Sequence, residues 1–204
     1  ITWRVPRSMW HGAVALKEKL STLLVDFEGM KDFSAGLIAE VLHEKWPALR
    51  AVRVAFPQPF LGADRPNLLL AEALESRTVR AELAHTIRPH LGDAKMVGMP
   101  SVLGIRSVSR VIKDLEDQLG TAVFEIPTLP PSVPGQRLRE AFDSALAERG
   151  VLLLNGRHVI AAHAEGRRCR GIVLACGQSE QTVTTEGILL ASGRFLGGGL
   201  AGRH

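Results

Sequence analysis

Apolar and polar positions fall into a regular succession of short buried-strand runs and helical stretches up to about residue 127, and into shorter, turn-separated pieces beyond it. Leu20 to Phe27 (LSTLLVDF) is an apolar run ended by Glu28-Gly29, read as a buried strand, although its length alone also fits a helix segment. Asp32 or Ser34 can cap a helix from about Phe33 to Trp46, where Leu37, Ile38, Val41, Leu42 and Lys45 recur at helical spacing until Pro47. Alternation from Leu49 to Phe56 gives a second strand with Arg50 and Arg53 outward, closed by Pro57 and Pro59. Leu68 to about Arg88 is helical, with a break near Thr78; Leu69, Ala73, Leu83 and Ile87 face the core, and Glu72, Glu75, Arg80 and Glu82 face outward. Lys95 to Met99 is a strand, Val108 to Leu119 a helix closed by Gly120, and Ala122 to Ile126 another strand. Strands joined through helices predict a parallel sheet covered on both faces.

The pattern then breaks. Pro127 to Gly135 (PTLPPSVPG) holds too much proline for an element interior, and Gln136 to Glu148 is a helix with Leu138, Phe142 and Leu146 on one stripe. Short strands follow at Val151–Leu154, Arg157–Ala162, Gly171–Ala175 and Gln181–Ala191, with hairpin signals at Asn155-Gly156 and Glu165-Gly166. The last apolar run, Gly187 to Ala191, reads as a strand returning to a sheet.

Composition narrows the functional classes. A formal charge of +4 without a Lys/Arg block interleaved with aromatics gives no nucleic-acid groove. No apolar run reaches the length of a membrane span. Cys169 and Cys176 form neither a disulfide framework nor a zinc site, and on one strand they would point to opposite faces. The seven histidines show no metal-binding spacing, and Ser101 and Ser132 lack a nucleophile elbow. The opening Ile1-Thr2-Trp3-Arg4 carries no Met or signal-type stretch, and the end from Gly197 to His204 is a glycine-rich loop; both lead us to expect a piece of a longer chain.

Three segments can carry chemistry. Gly187 to Gly199 runs from an apolar stretch into Ser192, Gly193, Arg194, Gly197 and Gly198, where exposed backbone N–H groups and Arg194 can hold phosphate, or where a glycine loop simply ends the chain. Thr128, Ser132, Gln136 and Arg137 can present donors to a phosphate or carboxylate, or the prolines among them can serve only to stop strand pairing. Arg137 near a helix start opposes the helix dipole, a conflict that an anion or an acidic partner would remove. Lys31 after Gly29, and Arg106 after Gly104, stand before helices and are further anion candidates, with capping by Asp32 or Ser34 as the alternative at the first.

The run Ile188-Leu189-Leu190-Ala191-Ser192-Gly193-Arg194-Phe195 resembles the flavin-contacting turn of flavoproteins of the fumarate reductase and succinate dehydrogenase type, with Ser192 where Thr is usual and Arg194 where a second glycine would stand. Leu24 to Ala35 (LVDFEGMKDFSA), Pro127 to Leu138 and Leu190 to Leu200 together resemble the B subunits of anaerobic glycerol-3-phosphate dehydrogenase. The resemblance implies an α/β fold: a parallel-sheet, three-layer inserted domain, Rossmann-like, over residues 15–127, then a proline-rich crossover and partial flavin-binding domain with an antiparallel meander over residues 128–204. Residues 1–14 are left as a leader or partial strand. It implies part of an oxidoreductase that converts sn-glycerol 3-phosphate to dihydroxyacetone phosphate and passes electrons to a quinone pool. The implied cofactor of the intact protein is FMN or FAD, with this piece holding none by itself and being inactive alone. The implied partners are the catalytic (A) polypeptide of the enzyme and its iron–sulfur, membrane-anchoring (C) polypeptide, at the cytoplasmic face of the cell membrane. Alternative roles are a structural or electron-transfer partner of the catalytic polypeptide, or a flavin oxidoreductase of another small anion. The G-x-G-x-x-G turn of the family is missing: Gly29 with Gly36 and Gly98 with Gly104 have the wrong spacing.

Overall fold

A computed structural model describes residues 5–59, 62, 66–177 and 179–191. The chain divides into two compact units, residues 1–148 and 149–204. The first is built on a parallel sheet of order β2-β1-β3-β4, with β1 at Thr22–Phe27, β2 at Leu49–Val54, β3 at Met96–Pro100 and β4 at Ala122–Ile126. Every residue of β1 is buried, as expected of a central strand covered on both faces. The strand β2 is an edge, and its arginines lean out.

Helix α1 (Trp10–Glu18) packs on β3 and β4, and α2 (Ala35–Leu42) on β1 and β2. The stretch 10–14, expected to be a leader or partial strand, is therefore helical; a 3₁₀ turn at Arg7–Met9 leads into it, and Lys19 at φ 54° ends it. The helix is seated by two glycines. The Phe124 ring lies between Gly12 of α1 and Gly98 of β3, and a Cβ on either would come within 2.5 Å of it. On the same face, an apolar groove of 360 Å³ opens between α1 and α2, floored by Leu24 and Phe124 and walled by Leu16, Ile38, Leu42 and Trp46.

The stretch from 66 to 87 is two helices, α3 (Pro66–Ala73) and α4 (Arg77–Ile87), broken at residues 74–76, just before the expected point. Helix α5 (Val108–Leu119) ends on Gly120 at φ 69°, as its sequence dictates, and packs on α4 and β4. The chain steps one way from β1 to β2 and then the other way from β2 to β3 and on to β4, so right-handed crossovers put α4 and α5 across the sheet from α2. Helix α6 (Val133–Glu148) starts inside the proline-rich run, because Pro134 falls in its first turn, where the missing N–H costs nothing. Val133 is buried in the core of this first unit, so residues 128–148, grouped by sequence with the C-terminal part, belong to the parallel-sheet unit.

The second unit is an antiparallel meander of β5 (His158–Glu165), β6 (Arg168–Cys176) and β7 (Ser179–Thr184). Gly166 at φ 60° turns β5 into β6, as the Glu165-Gly166 pair predicts. Both cysteines lie on β6. Two expected strands are not formed. Residues 151–154 and 187–191 take no ladder among the described residues, and Leu152, Leu189 and Leu190 are exposed. An apolar run becomes a strand only beside a partner edge, and among the described residues neither run has one.

Candidate functional site

Parallel sheets receive ligands beyond the carboxyl ends of their strands, where loops deliver backbone N–H groups and helix N-termini converge. In the first unit that edge is laid out by β1, β3 and β4 and the helices that follow them. At each of three positions there, a carboxylate from the chain itself accepts the available donors.

The first is Asp26, near the end of β1 and 2% exposed. Its Oδ2 accepts from the N–H of Ala35, the first residue of α2, at 3.0 Å, and Ser34 Oγ caps the same helix by accepting from the N–H of Leu37 at 3.2 Å. The Arg53 guanidinium donates to both oxygens of Asp26, from Nε at 2.8 Å and Nη2 at 3.1 Å. These hydrogen bonds, with the attraction behind them, push the Arg53 pKa above its ordinary value. The helix start near Lys31 is thus served from within.

The second is Glu75, in the break between α3 and α4. Its Oε1 accepts from the N–H groups of Ile105, Arg106 and Ser107 at 2.8, 2.7 and 3.0 Å, at the entry to α5. Burial pushes the Glu75 carboxyl up, but the bonds from Ser107, Ile105 and Arg106 together outweigh it, and the pKa lies below the ordinary value. Helical spacing put Glu75 and Arg80 outward; both turn inward. Arg80 is 4% exposed, donating to the carbonyls of Leu74 and Glu75 and pairing with Asp114 at 2.6 Å. The helix break rotates these residues off the face that one continuous helix would give them.

The third is Glu125 of β4, whose side chain is fully buried. Arg137 of α6 grips it as a fork, Nη1 to Oε2 and Nη2 to Oε1, both at 2.7 Å, while Arg137 Nε and Nη2 also donate to the carbonyl of Gly104 at 2.9 and 2.7 Å. Glu125 Oε1 accepts from the N–H of Leu103 at 2.8 Å. Glu125 is the acidic partner that relieves the dipole conflict of Arg137. The fork ties α6 to β4 and to the loop after β3.

Of the candidates read from sequence, Thr128 accepts from Asn67 Nδ2 at 3.4 Å, Ser132 Oγ accepts from the N–H of Gly135 at 3.3 Å, and Gln136 Nε2 donates to Glu140 at 3.1 Å. Each of the four, Arg137 included, has an internal partner. Arg106 lies 74% exposed, 3.9 Å from Glu140. Ser192, Gly193, Arg194, Gly197 and Gly198 lie outside the described residues. Sequence reading missed Asp26, Glu75 and Glu125. The signal available was a lone acid within an otherwise apolar strand, at Asp26 and Glu125, since a buried carboxylate requires a partner. Among the described residues there is no cluster able to hold a metal ion.

A flavin diphosphate requires converging N–H groups with no competing anion. Among the described residues, the starts of α2 and α5 are spent on Asp26, Ser34 and Glu75, so this edge of the parallel sheet does not fit that group.

The curated relatives include a probable B subunit of anaerobic glycerol-3-phosphate dehydrogenase from Halobacterium salinarum, 30% identical over 98% of this chain and 49% of the relative. The B subunit of the anaerobic glycerol-3-phosphate dehydrogenase of Actinobacillus pleuropneumoniae is 29% identical over 98% of this chain and 48% of its own length, and that of Pasteurella multocida is 26% identical over the same shares. The chain spans about half the length of the curated relatives it matches. No solved structure matches it at a significant level. The model of the FAD binding domain family matches residues 2–203, across both units, and the chain belongs to that family.

Proposed function

We propose that this chain is part of the B subunit of a flavin-dependent oxidoreductase that oxidises sn-glycerol 3-phosphate to dihydroxyacetone phosphate and passes the electrons to a quinone. The observation that carries the reading is the match to B subunits along 98% of the chain, through the parallel-sheet unit and the meander alike. The family match favours FAD over FMN as the cofactor of the intact protein. The proposed partners are the catalytic (A) polypeptide and the iron–sulfur, membrane-anchoring (C) polypeptide, at the cytoplasmic face of the membrane. Among the described residues no helix is long and apolar enough to cross a membrane.

In this reading the parallel-sheet unit is a rigid insert rather than the flavin cradle, because its anion-binding positions are taken by Asp26, Glu75 and Glu125. Arg137 then holds the insert together, and Ser192, Gly193, Arg194, Gly197 and Gly198 remain the proposed flavin-contacting residues. A second reading, a contact role toward a partner polypeptide, is favoured by the apolar groove between α1 and α2 with exposed Leu16 at its wall and exposed Val41 and Leu37 on α2. The test uses the full-length protein with and without its partners. Expected are stoichiometric FAD and a requirement for this protein in glycerol-3-phosphate-dependent reduction of a quinone analogue. A full-length protein that holds no flavin and is dispensable for that reduction overturns the proposal.

A further inference from the structure

The face of the sheet that carries α1 and α2 stays apolar after folding. The groove between the two helices has Leu24 and Phe124 at its floor, and its apolar wall does not stop at the rim. On α2, Val41 and Leu37 continue the stripe of Ile38 and Leu42 around the same flank of the helix, and both are exposed, Val41 by 70%. On α1, Leu16 and Trp10 are exposed on either side of Ala13, which lines the groove. Large apolar side chains gathered at the mouth of an apolar groove mark a surface that a partner covers.

Charges at the rim select the partner. Lys17 of α1 and Lys19 at its end are exposed, while Glu18 falls on the flank of α1 opposite Leu16. Across the groove, Glu40 of α2 and Glu44 just beyond it are exposed, with Lys45 offsetting one of them. Among the described residues none of these charged groups has an ion-pair partner. One wall therefore carries positive charge and the other negative, with a hole between them and an apolar knob, Val41, on the edge. A two-fold axis through such a patch lays α1 of one copy over α2 of the other, so that unlike charges meet twice and each Val41 faces the other copy's groove. A foreign partner does not require a surface to match itself in both charge and shape.

We propose that this face joins two copies of the chain into an isologous dimer, with α1 of each against α2 of the other. Val41 and Leu37 enter the groove of the second copy, and Lys17 meets its Glu40 and Glu44. This occupant differs from the foreign polypeptide of the second reading above, and the inference does not depend on the proposed substrate.

The mass of the full-length protein, free of other polypeptides, is measured by analytical ultracentrifugation across the micromolar range. Expected is a dimer for wild type and a monomer for Val41→Asp, with unchanged circular dichroism and melting showing that the fold is intact. Two charge variants, Lys17→Glu and Glu40→Lys/Glu44→Lys, should each dimerise about tenfold or more weakly than wild type, because like charges then meet across the axis. Mixed in equal amounts, the two should form a heterodimer that recovers most of the lost affinity, since the rims of one are then mainly acidic and those of the other basic. A wild type that is monomeric throughout, a dimer untouched by Val41→Asp, or charge variants that do not rescue each other overturns the proposal. A monomer whose binding of another polypeptide of the enzyme is lost in Val41→Asp also overturns it, and assigns the face to that polypeptide.

Discussion

Arg137→Met tests whether Arg137 is a structural clamp or an anion receptor. The substitution keeps the length of the side chain and removes four hydrogen bonds, two to Glu125 and two to the Gly104 carbonyl. Glu125, fully buried at its side chain, would be left with the Leu103 N–H as its remaining donor. Breaking a buried ion pair from one side costs about 3–5 kcal/mol, because the other charge stays in the interior uncompensated. Against a domain stability of about 5–15 kcal/mol, that is between about a fifth and the whole of the total. At about 2–4 °C per kcal/mol for a domain of this size, the melting temperature should fall by roughly 6–20 °C. Removing both charges, as Arg137→Met with Glu125→Leu, should recover most of the loss, since an apolar pair of similar volume is often as stable as a buried ion pair. All three tryptophans, Trp3, Trp10 and Trp46, precede residue 149, so urea unfolding followed by tryptophan fluorescence reports on the first unit alone. A loss below about 1 kcal/mol for the single variant, or a double variant no more stable than the single, would refute the clamp and return Arg137 to the anion-binding candidates.

Further outcomes follow from the same packing and charges. Gly98→Ala drives a Cβ to 2.5 Å from the Phe124 ring and 2.8 Å from Leu24, so it should destabilise by about 1–3 kcal/mol, and Phe124→Leu in the same chain should return part of that in denaturant titrations. Ser34→Ala removes the α2 cap and should cost about 1 kcal/mol, less if Asp26 alone can serve the first turn. The lowered pKa of Glu75 gives stability that is complete above its unfolded value, near 4.5, and is lost as pH falls through the lower folded value. The charged groups facing it are Arg77, Arg80, Arg110 and Lys113, with Asp114 and Asp117, and Asp114 is held by Arg80. Glu75→Gln should therefore flatten the acid limb of stability as pH falls below the ordinary carboxylate value, while an unchanged limb would assign the slope to other carboxylates.

The skeleton of the parallel unit was legible because its elements carry local signals. Val108–Leu119 has helical periodicity and a Gly120 stop, and Ala122–Ile126 is a short apolar run between turns. Helix α1 was not legible: its Gly12 and polar Lys17-Glu18 end blur the pattern, and Gly12 is there because the Phe124 ring needs its space, a fact of the tertiary structure. The runs 151–154 and 187–191 were overread because hydrophobicity shows what a strand would contain and not whether an edge awaits it. The site was read half-way. Arg137 stood out by its position at a helix start, but the sequence does not show which distant carboxylate meets it. Asp26 and Glu125 were concealed by the apolar strands that hold them, and Glu75 by a helix break that changes which way it faces.

The central claim is that the parallel-sheet unit satisfies its own anion-binding positions and is no nucleotide cradle. Isothermal titration of residues 1–204 with FAD and with ADP tests it most directly. The expected result is no saturable binding of either ligand that depends on this unit, and none altered by Arg137→Met or Glu75→Gln. Stoichiometric binding of FAD or ADP abolished by either substitution would contradict the claim, and would make these groups ligands of the cofactor rather than of each other.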